Sequence, residues 1–315
     1  MDRRFRTKEH IQDLLDTKCL ALVPLLTNSR TKRPLAGWLP VRTFSALSSL
    51  PLNLRERPEP AKTSARGATK SIGSVPTTLR GMADVTSSPF AEAIETMKLA
   101  IDLGDPAASS KIIGLTSSFA GEGKSTLAMG LAAQLARDGA RVVLVDCDLR
   151  NPTLSRAIAP HAIVGILEVV KRKITPSEAI WNEPNTRIAF LPAVLPSVVD
   201  RHSPTPVNFL SSDAAKSFFQ ALQVQYDCVI VDLPPLACAS DVRASTRFID
   251  SYLLVVEWGR TKVDAVQYAL RHAPEVSEKV IGTVLNKVDF AAMSSYDNYG
   301  ARYYYGQSGA ARSRH

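Results

Sequence analysis

Residues 111–150 read KIIGLTSSFAGEGKSTLAMGLAAQLARDGARVVLVDCDLR. The stretch opens with an apolar run of strand length, residues 112–115. A glycine-bearing loop covers 117–124. Leu127, Leu131 and Leu135 then recur every fourth residue, which predicts a helix over 125–137. A second apolar run, 142–145, ends in Asp146 and Asp148. Strand, loop, helix, strand and acid make one βαβ unit with phosphate-binding chemistry at both strand ends.

The residue types explain the chemistry. Gly121 and Gly123 permit the positive-φ turns that aim successive N–H groups at phosphate oxygens. The N–H groups of Ala120, Gly121, Glu122, Gly123, Lys124, Ser125 and Thr126 are the expected cradle. Lys124 is placed to reach the β- and γ-phosphates and Ser125 to offer a hydroxyl to Mg²⁺, with the helix N-terminus adding partial positive charge. Without nucleotide, Lys124 is expected to be solvated. The full phosphate-loop pattern calls for glycine at 118, where this chain has Ser118; the strand–loop–helix context restores the match.

Outward from this unit the pattern repeats. A helix is expected from Pro89, with Ala91, Ile94, Met97 and Ile101 on one face. Two short helical pieces follow over 165–180, then a strand over 187–191, a Pro- and Ser-rich loop over 193–206 and a helix over 211–225. Residues 226–232 are a continuous apolar run of the kind parallel sheets bury on both faces. That run ends in Asp232, well placed to hold a water of a Mg²⁺ shell beside the phosphate loop. Helix 240–249, strand 252–257, helix 262–272 and strand 280–285 complete the order. The fold class is α/β, a doubly wound and mostly parallel sheet carrying a phosphate loop. The last strand runs into Asn286-Lys287-Val288-Asp289. Read alone, NKxD after a strand is a guanine-reading signature.

The chain has 315 residues, 45% of them hydrophobic, and a formal net charge of +8. Residues 1–87 hold 15 Lys/Arg against 7 Asp/Glu, so the excess sits there and the remainder is balanced. Residues 35–87 are rich in Pro, Ser, Thr and Arg without periodicity. We therefore expect a largely disordered basic arm and linker over 1–87, a nucleotide-binding domain over 88–290 and a tail over 291–315. Such an arm serves an anionic membrane surface or keeps a segment soluble. Residues 1–34 also contain a short helical pattern, HIQDLLDT, and an apolar stretch, CLALVPLL. No run approaches 18 apolar residues and no leader peptide is legible, so the chain is not expected to span a membrane by itself. Cys19, Cys147, Cys228 and Cys238 show no CxxC spacing, and the five histidines make no i,i+4 pair. A zinc site and a Ser-His-Asp mechanism are thereby excluded.

The tail is the second informative stretch: Tyr296, Tyr299, Tyr303, Tyr304 and Tyr305 fall within ten residues, interleaved with Gly, Asn, Ser and Arg. So many aromatics in an end with almost no aliphatic residues call for a function, since they cannot build a core.

TSSFAGEGKST, VVLVDCDLRNPTLS and YDCVIVDLPPL resemble the Walker A, A′ and B motifs of the bacterial tyrosine kinases, the cytoplasmic P-loop kinases of exopolysaccharide and capsule export. The resemblance runs from about residue 88 to the C-terminus. Ala120 departs from the family's usual proline, and the loop lacks the early lysine of the partition and division-site ATPases, which favours the kinase branch. The resemblance implies an ATP- and Mg²⁺-dependent autokinase of the P-loop NTPase class. Lys124, Asp146, Asp148 and Asp232 would be its catalytic residues, and Ser125, Asp148 and Asp232 its metal contacts. Asp146 would orient the acceptor, a division of labour with Asp148 that could be exchanged. Asn286 would belong to an adenine pocket, favouring ATP over GTP. The five tail tyrosines would be phosphoacceptors, modified in trans. The family's ring-building Glu-x-x-Arg-x-x-Arg motif stands here as Glu92, Glu95 and Lys98, an altered charge pattern. Implied partners are a membrane polysaccharide co-polymerase, a tyrosine phosphatase and further copies of the chain, with no nucleic acid. The implied location is the cytoplasmic face of the bacterial plasma membrane, peripherally bound. Two alternatives stay open: an ATPase switch of the partition or division-site type, and a nucleotide-binding regulatory subunit with weak catalysis.

Overall fold

The computed structural model describes residues 4–26, 88–104, 111–182, 188–195, 205–238, 240–293 and 295–296. Eight strands form one sheet: β1 (Cys19–Pro24), β2 (Lys111–Ser117), β3 (Val142–Asp146), β4 (Trp181–Asn182), β5 (Ala189–Leu191), β6 (Cys228–Asp232), β7 (Ser251–Glu257) and β8 (Val280–Val288). Their spatial order is β1-β8-β7-β2-β6-β3-β5-β4. Every pairing is parallel except the short β4–β5 edge.

Apolar runs make this sheet because both faces are covered. Val143, Val145, Val229 and Val231 enter one core with Phe219, Leu222, Val266 and Leu270. Their neighbours Val142, Leu144, Cys228 and Ile230 enter a second core on the opposite face with Leu127, Leu131 and Met97. On that second face lie α2 (Pro89–Gly104) and α3 (Lys124–Arg137). The expected stripe Ala91, Ile94, Met97 and Ile101 is buried there. Lys98, from the altered charge motif, pairs with Asp138 at the end of α3, 2.7 Å away.

Residues 4–26 require a correction. They were expected to belong to a disordered arm over 1–87; instead α1 (Lys8–Leu15) and β1 are part of the domain, with β1 hydrogen-bonded to β8. The reason is apolar burial: Phe5, Ile11 and Leu22 enter one core, while Ala21 and Val23 enter the other. Residues 27–87 and 297–315, which hold the linker and four of the tail tyrosines, lie outside the described residues. So does 196–204, most of the expected Pro- and Ser-rich loop. Smaller elements differ mainly at boundaries: α4 (Thr153–Ile158), α5 (Ile166–Val170) and α6 (Pro176–Ala179) follow β3. The helix expected over 211–225 is α8 (Asp213–Gln225), where Ser212 caps Ala215 N–H, and a short helix not expected, α7 (Pro206–Leu210), precedes it. The remaining helices are α9 (Ser240–Ser245), α10 (Val263–Arg271), α11 (Pro274–Ser277) and α12 (Phe290–Met293).

Candidate active site

The carboxyl ends of β2, β3, β6 and β8 converge where the sheet order reverses beside β2, the crevice in which open α/β sheets bind ligands. Gly121 and Gly123 both hold positive φ, 88° and 98°. At Gly123 a Cβ would collide with the Asn286 amide nitrogen, so only glycine fits. The loop then feeds straight into α3, whose first residues are Lys124 and Ser125.

Lys124 is not solvated, contrary to the sequence expectation. It is 7% exposed, with Nζ 3.0 Å from Asp148 Oδ2 and 3.4 Å from Asp232 Oδ1. Burial alone would drive its proton off; Asp232 and Asp148 outweigh that and hold the ammonium above its ordinary pKa. Ser125 Oγ donates to Asp232 Oδ2 at 2.6 Å. Asp232 itself is fully buried, and its Oδ1 has no hydrogen-bond partner among the described residues.

Asp146 is also fully buried. Its Oδ1 accepts from Asp148 N–H (3.0 Å), and its Oδ2 accepts from Ser155 N–H (2.9 Å) and Ser155 Oγ (2.7 Å). Desolvation, reinforced by the Asp232 charge, raises its pKa against the pull of Ser155 and Lys124. Asp232 is raised by the same burial, opposed by Lys124 and Ser125. Asp146 and Asp232 are register partners on β3 and β6. The site thus concentrates three carboxylates around one lysine and one serine hydroxyl.

Three residues support the loop through contacts that the sequence did not show. Glu122 is 2% exposed and braces the loop from within. Its Oε2 accepts Phe119 N–H at 2.9 Å, and its Oε1 takes the Thr261 hydroxyl and Glu257 N–H. A variable position inside a glycine loop gives no hint of this. Asn286 donates its amide to Glu122 O at 2.7 Å. Lys287 donates to Gly121 O at 2.6 Å and pairs with Glu257 at 3.0 Å. One correction follows: β8, expected to end at residue 285, continues through Val288, and Lys287 on it is a strut of the phosphate loop. Asp289 Oδ1 accepts the N–H groups of Ala291 and Ala292, capping α12. Of the tail tyrosines, only Tyr296 lies within the described residues. Among these residues no group of three or more His, Cys, Asp or Glu is assembled to hold a metal ion. The donors that are present, Ser125 Oγ and Asp232 Oδ1, which the Lys124 ammonium faces without a hydrogen bond, are hard oxygens suited to a hydrated Mg²⁺.

This is the fold and site of a P-loop nucleotide-binding domain, and the family model described as an AAA domain matches residues 110–280. The chain is 30% identical over 200 residues to the tyrosine-protein kinase CpsD of Streptococcus pneumoniae, covering 63% of this chain and 84% of that protein. It is 34% identical over 236 residues, 75% of its length, to the succinoglycan biosynthesis transport protein ExoP of Rhizobium meliloti, of which it spans only 29%. The chimerical protein CapA2B2 superposes with a TM-score of 0.66 at 19% identity, over 90% of this chain and 99% of that one. The chain belongs to the bacterial tyrosine-protein kinases.

No helix among the described residues is long and apolar enough to cross a membrane.

Proposed function

We propose that the chain is an ATP-dependent tyrosine autokinase of exopolysaccharide or capsule export, phosphorylating the C-terminal tyrosines of a neighbouring copy. One observation carries the reading: a buried phosphate-loop lysine lies between Asp148 and Asp232, with the Ser125 hydroxyl on Asp232. Phosphoryl transfer is a matter of positioning and charge neutralisation, and this set supplies both. Lys124 would turn from the carboxylates to the β- and γ-phosphates. Ser125, Asp148 and Asp232 would hold Mg²⁺, which neutralises phosphate charge when bound.

The phenol oxygen attacks the γ-phosphorus as the bond to the β–γ bridging oxygen breaks. ADP leaves, and the phenolic proton passes to Asp146. Asp146 Oδ1 makes one hydrogen bond, to Asp148 N–H, which leaves it a lone pair for that proton. Its raised pKa supports the role. Asn286 stands for adenine: Asp289, the acid a guanine would need, already spends Oδ1 on the α12 cap.

As the family resemblance implies, the partners would be a membrane co-polymerase, further copies of the chain and a phosphatase. The location would be the inner face of the plasma membrane. The test is incubation of purified protein with Mg-ATP, followed by phosphotyrosine blotting and ADP measurement. Phosphotyrosine in the C-terminal peptide is expected. ADP release without phosphotyrosine would instead identify an ATPase switch, and neither product a regulatory subunit.

A further inference from the structure

The five tail tyrosines are not equivalent. Tyr296 lies three residues beyond Met293, the fully buried end of α12, and its N–H donates to Met293 O at 2.8 Å. The Arg6 guanidinium lies over its ring, 4.3 Å from the centroid. Arg6 is itself held in place. Its carbonyl accepts Trp258 Nε1–H at 2.9 Å, and the adjacent Phe5 exchanges backbone hydrogen bonds with Gly259 and Thr261. The first tail tyrosine is therefore seated on the N-terminal segment of its own chain, although the residue is 53% exposed.

Two consequences follow for a reaction in trans. Tyr296 can extend only about 10 Å from Met293, whereas Tyr305 has a contour of about 40 Å. Tyr296 must also leave its cation–π seat, which at an exposed position reduces the free fraction about two- to five-fold. We propose that Arg6 ranks the acceptors, holding Tyr296 back so that it is phosphorylated after Tyr299, Tyr303, Tyr304 and Tyr305. This rests on the autokinase reading above. Arg6 acts as a positioning residue, since it touches the acceptor's seat and not the phosphate loop.

Site-resolved mass spectrometry during autophosphorylation of the full chain tests the ranking. In the native protein Tyr296 should lag the other four. Arg6→Gln, which removes the charge but keeps a polar side chain, should raise the Tyr296-to-Tyr303 rate ratio about two- to five-fold. Arg6→Lys, which keeps a cation, should preserve most of the lag, and nucleotide affinity should be unchanged in both. Equal rates in the native protein, or a lag indifferent to Arg6→Gln, would overturn the ranking alone. A complete absence of phosphotyrosine would overturn it together with the autokinase reading.

Discussion

At the residue scale, the proposed function gives Lys124 a duty toward phosphate, and the structure gives it one toward the fold. Buried between Asp148 and Asp232, it neutralises carboxylates that would otherwise face each other in a low dielectric. Breaking a buried pair by removing one partner costs about 3–5 kcal/mol. Lys124→Met is therefore expected to abolish autophosphorylation and also to melt several degrees below native protein without nucleotide. An unchanged melting temperature would show that the ion pairs contribute nothing to the fold.

The acids set a pH dependence. Asp146, raised to about 7, and Asp232, raised by the same burial, bind protons more readily folded than unfolded. Their contribution to stability is complete below the ordinary carboxylate range and is lost as pH climbs, through about 7 for Asp146. Nucleotide-free protein should thus lose thermal stability between about pH 5 and 8, and Asp146→Asn should flatten that slope. A slope identical in the two proteins would remove Asp146 as its source.

At the element scale, the phosphate loop is held by other elements: Glu122 by the β7–α10 connection, its carbonyl by Asn286, and Gly121 by Lys287. Gly123→Ala should cost most of the nucleotide affinity, because the new methyl meets Asn286 and φ is already 98°. Native-like affinity by fluorescent nucleotide titration would mean that the loop relaxes freely. The N-terminal segment is an element of the same assembly. Phe5 bonds to Thr261, which in turn holds Glu122. Deleting residues 1–26 should remove the edge strand, uncover apolar surface on β8 and α2, and weaken nucleotide binding. Deleting 27–87 instead should leave binding intact. Equal nucleotide affinity in the two truncations would refute a coupling between the edge strand and the loop.

At the scale of the whole molecule, we propose that the tail's charge provides a switch. Each phosphotyrosine adds about −1.5 to −2 charges, so three of them outweigh Arg302, Arg312 and Arg314. On this proposal an unmodified tail would enter a neighbour's site, whereas a phosphorylated one would be repelled by the carboxylates and bound nucleotide. Light scattering should find larger assemblies for the five-Tyr→Phe protein than for fully phosphorylated protein. Equal masses at matched salt would leave the tyrosines as passive acceptors.

The α/β class, the phosphate loop and the acids at the ends of β3 and β6 were legible from residues 111–150 and 226–232, because strand and helix periods and glycine turns are local. Long-range partners were not. Nothing in CLALVPLL says that it pairs with β8, and nothing in a glycine loop says that Glu122 turns inward to Thr261. Nor could the spacing of Lys124, Asp148 and Asp232 show that they meet buried beneath the loop. A side chain's burial and partners depend on residues as far as a hundred or more positions away, and only the assembled sheet brings those together.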